Sequence, residues 1–271
     1  MEHFDPGIHD IPAERYFASQ GCSASMLDIL AQSTPAHLAA YLKSNNKPDT
    51  DAMRFGVLCH YAILQGDAYK KSFHVRPEGM KLTTKEGKAW KEDHNDKPDI
   101  TFEEALRISG MVESVRHHKF ASRLLHNGKP EQSIFCFDQA GTLRKSRLDS
   151  LTAGTALADI KTCQSASLEN FERTISKYRY HVRAAYYLDN CHLVNLDKSH
   201  FFFICVEKEP PYAVRCLQLA QDVVEFGRKV YQADLQIYRN CLEKDEWPGW
   251  GDGFDEIALP AWQMKALYAV L

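Results

Sequence analysis

The sequence predicts a single α/β domain: a mixed central sheet flanked by helices. Three observations predict it. Between Glu131 and Thr162 three strand-like segments follow one another, with Asp138-Gln139-Ala140-Gly141 and Thr152-Ala153-Gly154-Thr155 as turn chemistry between them. Ser199 to Val206 (SHFFFICV) is a nearly continuous apolar run, the pattern of a strand buried on both faces. On either side of these segments the apolar residues switch to helical spacing.

The elements follow in order. Residues 1–22, with Pro6, Gly7 and Pro12, read as an irregular lead-in. Met26, Leu27, Leu30 and Ala31 then keep helical spacing, and Ser23 or Ser25 is the expected N-cap. A second helix is expected from Pro35 to Leu42. Asp51 to Gln65 (DAMRFGVLCHYAILQ) is apolar nearly all round, as a buried helix would be, with His60 in its middle. Gly66 to Asp99 is polar and punctuated. Within it Thr84 caps a short helix that carries Lys85, Lys88, Lys91 and Trp90. Thr101-Phe102-Glu103-Glu104 is a capping box opening a helix to about Lys119. After the strands, Ser167 caps Leu168 to Tyr178, and a second helix runs from Tyr180 to Leu193. Pro210-Pro211 ends the apolar strand, and Tyr212 to Leu217 pairs back. Leu219 to Leu242 is a long amphipathic helix. Residues 249–271 form a C-terminal extension, with Pro260 to Leu271 as a closing helix.

Composition sets outer bounds. The 271 residues are 44% hydrophobic and 25% charged, ordinary for a globular domain. A net charge of −3 announces no global basic field. The eight cysteines are scattered without a C-x-x-C pair, which argues against a zinc ribbon or a closely spaced iron–sulfur cluster. There is no signal-peptide pattern and no apolar run of ~18 residues, so no membrane partner is expected and a reducing, cytoplasmic setting is the expectation.

The chemistry concentrates in Lys145 to Thr162, KSRLDSLTAGTALADIKT. Side chains alternate along a strand, so Asp159 and Lys161 share a face and Ile160 takes the other. The reversal at the Thr152–Thr155 turn can bring Asp149 beside Asp159. Two neighbouring carboxylates repel, and a hard divalent cation relieves that repulsion. A lysine beside such a cation can orient an attacking water or stabilise charge on a phosphoryl group. An Asp-x-Lys triplet alone is common on solvated strands; the upstream Asp149 strengthens the case.

Asp149, Asp159 and Lys161 resemble the PD-(D/E)XK nuclease signature. The segment YRYHVRAAYYLDN, Tyr178 to Asn190, follows them, and together they resemble the RecE-type exonucleases (exonuclease VIII), with lambda exonuclease more remote. The resemblance implies a restriction-endonuclease-like core and a Mg²⁺-dependent exodeoxyribonuclease, with Mn²⁺ able to substitute and two ions per site. It implies digestion of double-stranded DNA from its ends, 5′ to 3′, giving 5′-mononucleotides and a 3′ single strand for an annealing protein. It also implies a homo-oligomeric ring. Asp149, Asp159 and the Ile160 carbonyl would bind metal, and Lys161 would activate water. His60, four residues after Gly56, matches a G-x-x-x-H pattern and would complete the metal shell. Glu131 would stand in the ligand shell or be an edge-strand charge. Ser25 would cap its helix or grip a 5′ phosphate. Arg144, Lys145 and Arg147 lie on the approach to Asp149, and at least one of them, with Arg147 the candidate, would meet the scissile strand. The family carries Gln-x-x-x-Tyr where this chain has Arg183 and Tyr187. Both would contact the DNA backbone, but arginine cannot accept a hydrogen bond as glutamine can. Two other readings stay open: a structure-specific or single-strand endonuclease on the same core, and an inactive DNA-binding or assembly module.

Overall fold

The computed structural model describes residues 2–44 and 51–259. The elements are β1 (Gly7–His9), α1 (Ala13–Ala18), α2 (Ala24–Gln32), α3 (Pro35–Lys43), α4 (Asp51–Gln65), β2 (His74–Val75), α5 (Lys85–Asp93), β3 (Asp99–Ile100), α6 (Phe102–His117), α7 (Lys119–Leu125), β4 (Lys129–Phe137), β5 (Leu143–Leu151), β6 (Ala156–Cys163), α8 (Leu168–Lys177), α9 (Tyr180–Leu193), β7 (His200–Glu207), β8 (Val214–Gln218) and α10 (Gln221–Lys244).

Six strands form one sheet in the order β1-β4-β5-β6-β7-β8. Only β6 and β7 run parallel; every other neighbouring pair is antiparallel. Parallel neighbours require a long crossover, and α8 with α9 supplies it. The mixed sheet with helices on both faces is the α/β architecture expected from the sequence.

Alternation along β7 shows why this run is apolar throughout. Phe201, Phe203 and Cys205 enter the core beneath α2, α9 and α10. Ile204 and Val206 enter the second core, beneath α4 and α6. In β6 Leu157 faces the first core, and Ala158 and Ile160 face the second. α10 comes close to α9 at Gly227, where a Cβ would lie 2.3 Å from the carbonyl oxygen of His181.

Two expectations change. The lead-in to residue 22 is not irregular. It contributes β1 at the sheet edge and α1 against it, because β1 finds the free edge of β4 in register from Gly7↔Phe135 to His9↔Ser133. The buried ammonium of Lys145 donates to the carbonyls of Tyr16 (3.0 Å) and Ser19 (2.7 Å), which pins the segment down. The helix opened by the capping box of Thr101 and Glu104 ends at His117; His118 leaves helical geometry and its Nδ1 caps α7 by accepting from Ala121 N at 3.1 Å. The expected closing helix lies outside the described residues. Among the described residues no helix is long and apolar enough to cross a membrane.

Candidate active site

The site lies where the sheet loses its regular pairing. β5 and β6 are in register only at Ser150↔Ala158. One residue further along, the carboxylate of Asp149 takes a ladder bond's place: its Oδ2 accepts the backbone N–H of Ile160 at 2.8 Å. The other edge of β5 is interrupted at the same point. Its pairing with β4 passes from Pro130↔Ser150 to Gln132↔Leu148, leaving Glu131 opposite Asp149 unpaired and in left-handed geometry, φ 54°. The register is the same on both sides of this gap, and a non-glycine residue in left-handed geometry stores strain of order 1 kcal/mol or more.

Four predicted residues meet at this break. Asp149 joins the two sides of the sheet. From the α4 side, His60 places Nδ1 3.4 Å from Asp149 Oδ2. Gly56, one turn earlier on α4, faces Thr162 of β6, with room for a Cβ at ordinary contact distance, 3.9 Å from Thr162 Oγ1. On the α9 side, the Lys161 ammonium lies against the Asp159 carboxylate and 3.5 Å from the Ile160 carbonyl oxygen. It also sits 4.9 Å above the ring of Tyr180.

The electrostatics separate the two carboxylates. Burial works to raise Asp149, but His60, Lys161 and the Ile160 N–H outweigh it and hold the group well below the ordinary range. Burial raises Asp159, Asp149 adds to the effect, and Lys161 offsets it only in part. For Lys161, burial works against the ammonium, yet Asp159 and Asp149 prevail and the net shift is upward. His60 follows the same pattern: burial lowers it, the Asp149 carboxylate outweighs burial, and the net is upward. Pairs of titratable groups pushed apart by their surroundings mark functional sites more often than structural ones.

The donor set fits a hard cation. Asp159 is nearly buried, and its Oδ2 has Lys161 against it but no well-directed hydrogen bond. Among the described residues no group of three or more His, Cys, Asp or Glu side chains stands ready to hold a metal by itself. Two carboxylates, the Ile160 carbonyl and water remain, a set that suits an ion such as Mg²⁺, which keeps most of its water.

The remaining candidates fall into two groups. Glu131 lies close enough for Asp149 and His60 to act on its charge, and burial raises it; its Oε2 accepts from Arg147 Nε at 2.7 Å. Arg183 and Tyr187 share a face of α9 turned to the site, where Asp159 acts on both. Ser25 is exposed in the first turn of α2. Ser23 is the N-cap, but its hydroxyl meets Ser25 Oγ at 3.0 Å instead of a backbone amide.

Arg147 does not fit the DNA contact expected of it. Its donors are committed within the fold: to Glu131, to Ile11 O at 2.8 Å and to Ser133 Oγ at 2.9 Å. The neighbouring cations are buried as well, Lys145 beneath the lead-in and Arg144 on the opposite face beneath α9 and α10.

Three residues escaped the sequence reading. Asp28 of α2 accepts from Arg183 Nη2 and from Arg179 Nε, each at 3.1 Å, and Arg179 pairs in addition with Asp234 of α10. Tyr180 lies beneath Lys161 and is 6.0 Å from the Arg183 guanidinium. Tyr180 had a readable signal, sitting three residues before Arg183 on one helix face; Arg179 is the left-handed N-cap just before α9. Asp28 had none, since its partners are over 150 residues away in sequence.

With the geometry in place, comparisons with known proteins narrow the family. No curated protein matches in sequence. A crystal structure of a "Putative exonuclease" from Eubacterium rectale superposes with a TM-score of 0.62 over 95% of this chain and 99% of its own, at 13% identity. At that identity the likeness concerns the fold. A second solved structure, SSO0001, overlaps 79% of this chain and 84% of its own at 11% identity, but a TM-score of 0.29 carries no argument. A family model described as a PDDEXK-like domain of unknown function (DUF3799) matches residues 23–257, a span that contains His60, Asp149, Asp159 and Lys161. The chain belongs to this PDDEXK-like family.

Proposed function

We propose that the chain is a metal-dependent exodeoxyribonuclease that digests double-stranded DNA from its ends, 5′ to 3′, releasing 5′-mononucleotides. One observation carries the reading: two carboxylates of opposed acidity and a lysine meet where β5 and β6 part. Membership in a PDDEXK-like family supports it, and the name carried by the Eubacterium rectale structure points the same way.

In this reading Asp149, Asp159, the Ile160 carbonyl and His60 would hold Mg²⁺, with Mn²⁺ as a substitute and two ions per site. A bound Mg²⁺ supplies an acidified water and charge neutralisation at the scissile phosphate. Lys161 enters as an ammonium, so it orients the water through its N–H donors and offsets negative charge on the phosphoryl group. Tyr180 limits where that ammonium can move. Arg183 and Tyr187 contact the DNA backbone, and Ser25 lies at a helix start that can take a terminal phosphate. Glu131 holds Arg147 beside Asp149. The 3′ strand left behind would pass to a single-strand annealing protein, and a homo-oligomeric ring in the cytoplasm would keep the enzyme on its track without a basic monomer.

The test is digestion of linear duplex labelled at the 5′ or the 3′ end, beside a covalently closed circle, in Mg²⁺ or in EDTA. The 5′ label is expected to leave first as mononucleotide, with the circle intact and EDTA abolishing release. Cleavage of the circle, or equal digestion by Asp149→Ala and Lys161→Ala, would overturn the proposal.

A further inference from the structure

A second candidate site lies at the far end of the α9–α10 layer. A cavity of about 550 Å³ opens there between the Asp138–Gly141 turn, the last turns of α9 and the middle of α10. None of the residues assigned to the nuclease site lines it. Arg144, which does, stands five residues before Asp149 on β5, roughly 17 Å along an extended strand.

Arg144 is only 4% exposed. Its guanidinium lies 4.3 Å from the ring centre of Tyr186 and 4.9 Å from that of Tyr231. It donates one long hydrogen bond, 3.4 Å, to the Tyr186 carbonyl, and its Nε is buried without a partner. The carboxylates in the cavity wall are already committed. Asp189 holds Arg228 at 2.7 Å and accepts from the Tyr231 hydroxyl; Asp138 holds Arg239 at 2.5 Å. No carboxylate of the described residues forms an ion pair with Arg144. A buried cation without a counter-ion is costly, and folded proteins rarely keep one. The polar deficit extends inward: Ser146 Oγ, two residues along the same face of β5, and both amide atoms of Asn190 on α9 are also buried without partners.

We propose that this cavity binds a small organic anion whose oxyanion group pairs with Arg144. The volume suits a ligand of nucleotide size. Leu193 and Leu235 offer an apolar wall, and Gln232 and Gln236 offer amides that can meet a polar ring edge. A phosphate monoester and a carboxylate share the head-group chemistry that a guanidinium takes in a forked contact.

The test is calorimetric titration of the full chain with two probes, deoxyadenosine 5′-monophosphate for the phosphate and glutarate for the carboxylate. Four proteins are compared: wild type, Asp149→Asn, Arg144→Met and Ala140→Trp. The last places an indole at the cavity mouth on an exposed turn, and decides alone if the buried Arg144→Met variant fails to fold. Wild type and Asp149→Asn are expected to bind at least one probe with the same Kd. Arg144→Met and Ala140→Trp should bind at least tenfold more weakly, the loss of one charge-assisted hydrogen bond or more. Binding of the nucleotide alone identifies a phosphate site, and of glutarate alone a carboxylate site. Failure of both probes to bind wild type, undiminished binding by Ala140→Trp, or loss of binding in Asp149→Asn would overturn the proposal.

Discussion

Asp149 Oδ2 accepts the backbone N–H of Ile160 at 2.8 Å. A functional side chain thereby replaces a rung of the β5–β6 ladder, and the position of the carboxylate is fixed by the same bond that ends the strand pairing. Changing Asp149 therefore alters both chemistry and fold. Asp149→Ala leaves a buried N–H without an acceptor and should cost about 1–3 kcal/mol in metal-free urea denaturation. Asp149→Asn keeps an acceptor oxygen and should lose activity with a smaller stability cost. Equal costs for the two variants would show that the Ile160 contact contributes nothing.

The His60–Asp149 pair gives the metal-free protein a pH signature. His60 has a folded-state pKa above its ordinary 6.5, so its contribution is complete below 6.5 and fades as pH rises through the folded value. Asp149 has a folded-state pKa far below its ordinary 3.8, so its contribution is complete above 3.8 and fades as pH falls through the folded value. The pair stabilises most between these two limits. The difference in urea midpoint between wild type and His60→Leu, in EDTA, should be largest near pH 5 and shrink above pH 7. A difference independent of pH would remove the ion pair from the account.

Arg147 and Arg183 should behave as opposites although both were expected to contact DNA. Arg147 ties Glu131, Ser133 and the Ile11 carbonyl together. Arg147→Ala should lower stability and expose residues 10–20 to limited proteolysis, with the salt dependence of DNA binding unchanged. Arg183 donates to Asp28, which Arg179 also holds. Arg183→Ala should therefore leave the fold largely intact, raise the KM for duplex and reduce the log–log salt slope by about 1, the mark of one lost phosphate contact. A reduced slope in the Arg147 variant instead would reverse the two assignments.

The contrast shows what was legible in the sequence. Asp149, Asp159 and Lys161 could be read because strand alternation and a turn are local, and the predicted strands and most helices follow from the same short-range rules. His60 could be read only through the resemblance of Gly56 and His60 to a G-x-x-x-H pattern, because a lone histidine in an apolar helix is by itself more often a core residue. The fate of Arg147 could not, because it depends on a lead-in whose order comes from pairing with β4, more than a hundred residues away. The same holds for the Asp28 clamp on α9 and for the unpaired, left-handed Glu131 opposite Asp149, which only the strand pairing reveals. Local chemistry was readable where residues act within one hairpin or one helix; partners from distant segments were not.

The last prediction concerns how the scaffold aims α9. Gly227 of α10 lies against the start of that helix: an added Cβ would meet the His181 carbonyl oxygen at 2.3 Å, its carbonyl carbon at 2.7 Å and Val182 N at 3.1 Å. All three are backbone atoms, so no side chain can rotate away. Gly227→Ala must push α10 and α9 apart, and overpacking of this kind costs about 1–3 kcal/mol or more. The displaced helix carries Tyr180, Arg183 and Tyr187, so the damage should reach the site without touching it. We expect a lower urea midpoint together with a fall in kcat/KM. Ala233→Gly, a loosening change in the same helix, should lower stability by up to about 1 kcal/mol through helix propensity alone and spare kcat/KM. If Gly227→Ala lost stability with kcat/KM intact, the α9–α10 contact would hold the fold together without positioning the residues proposed to meet DNA.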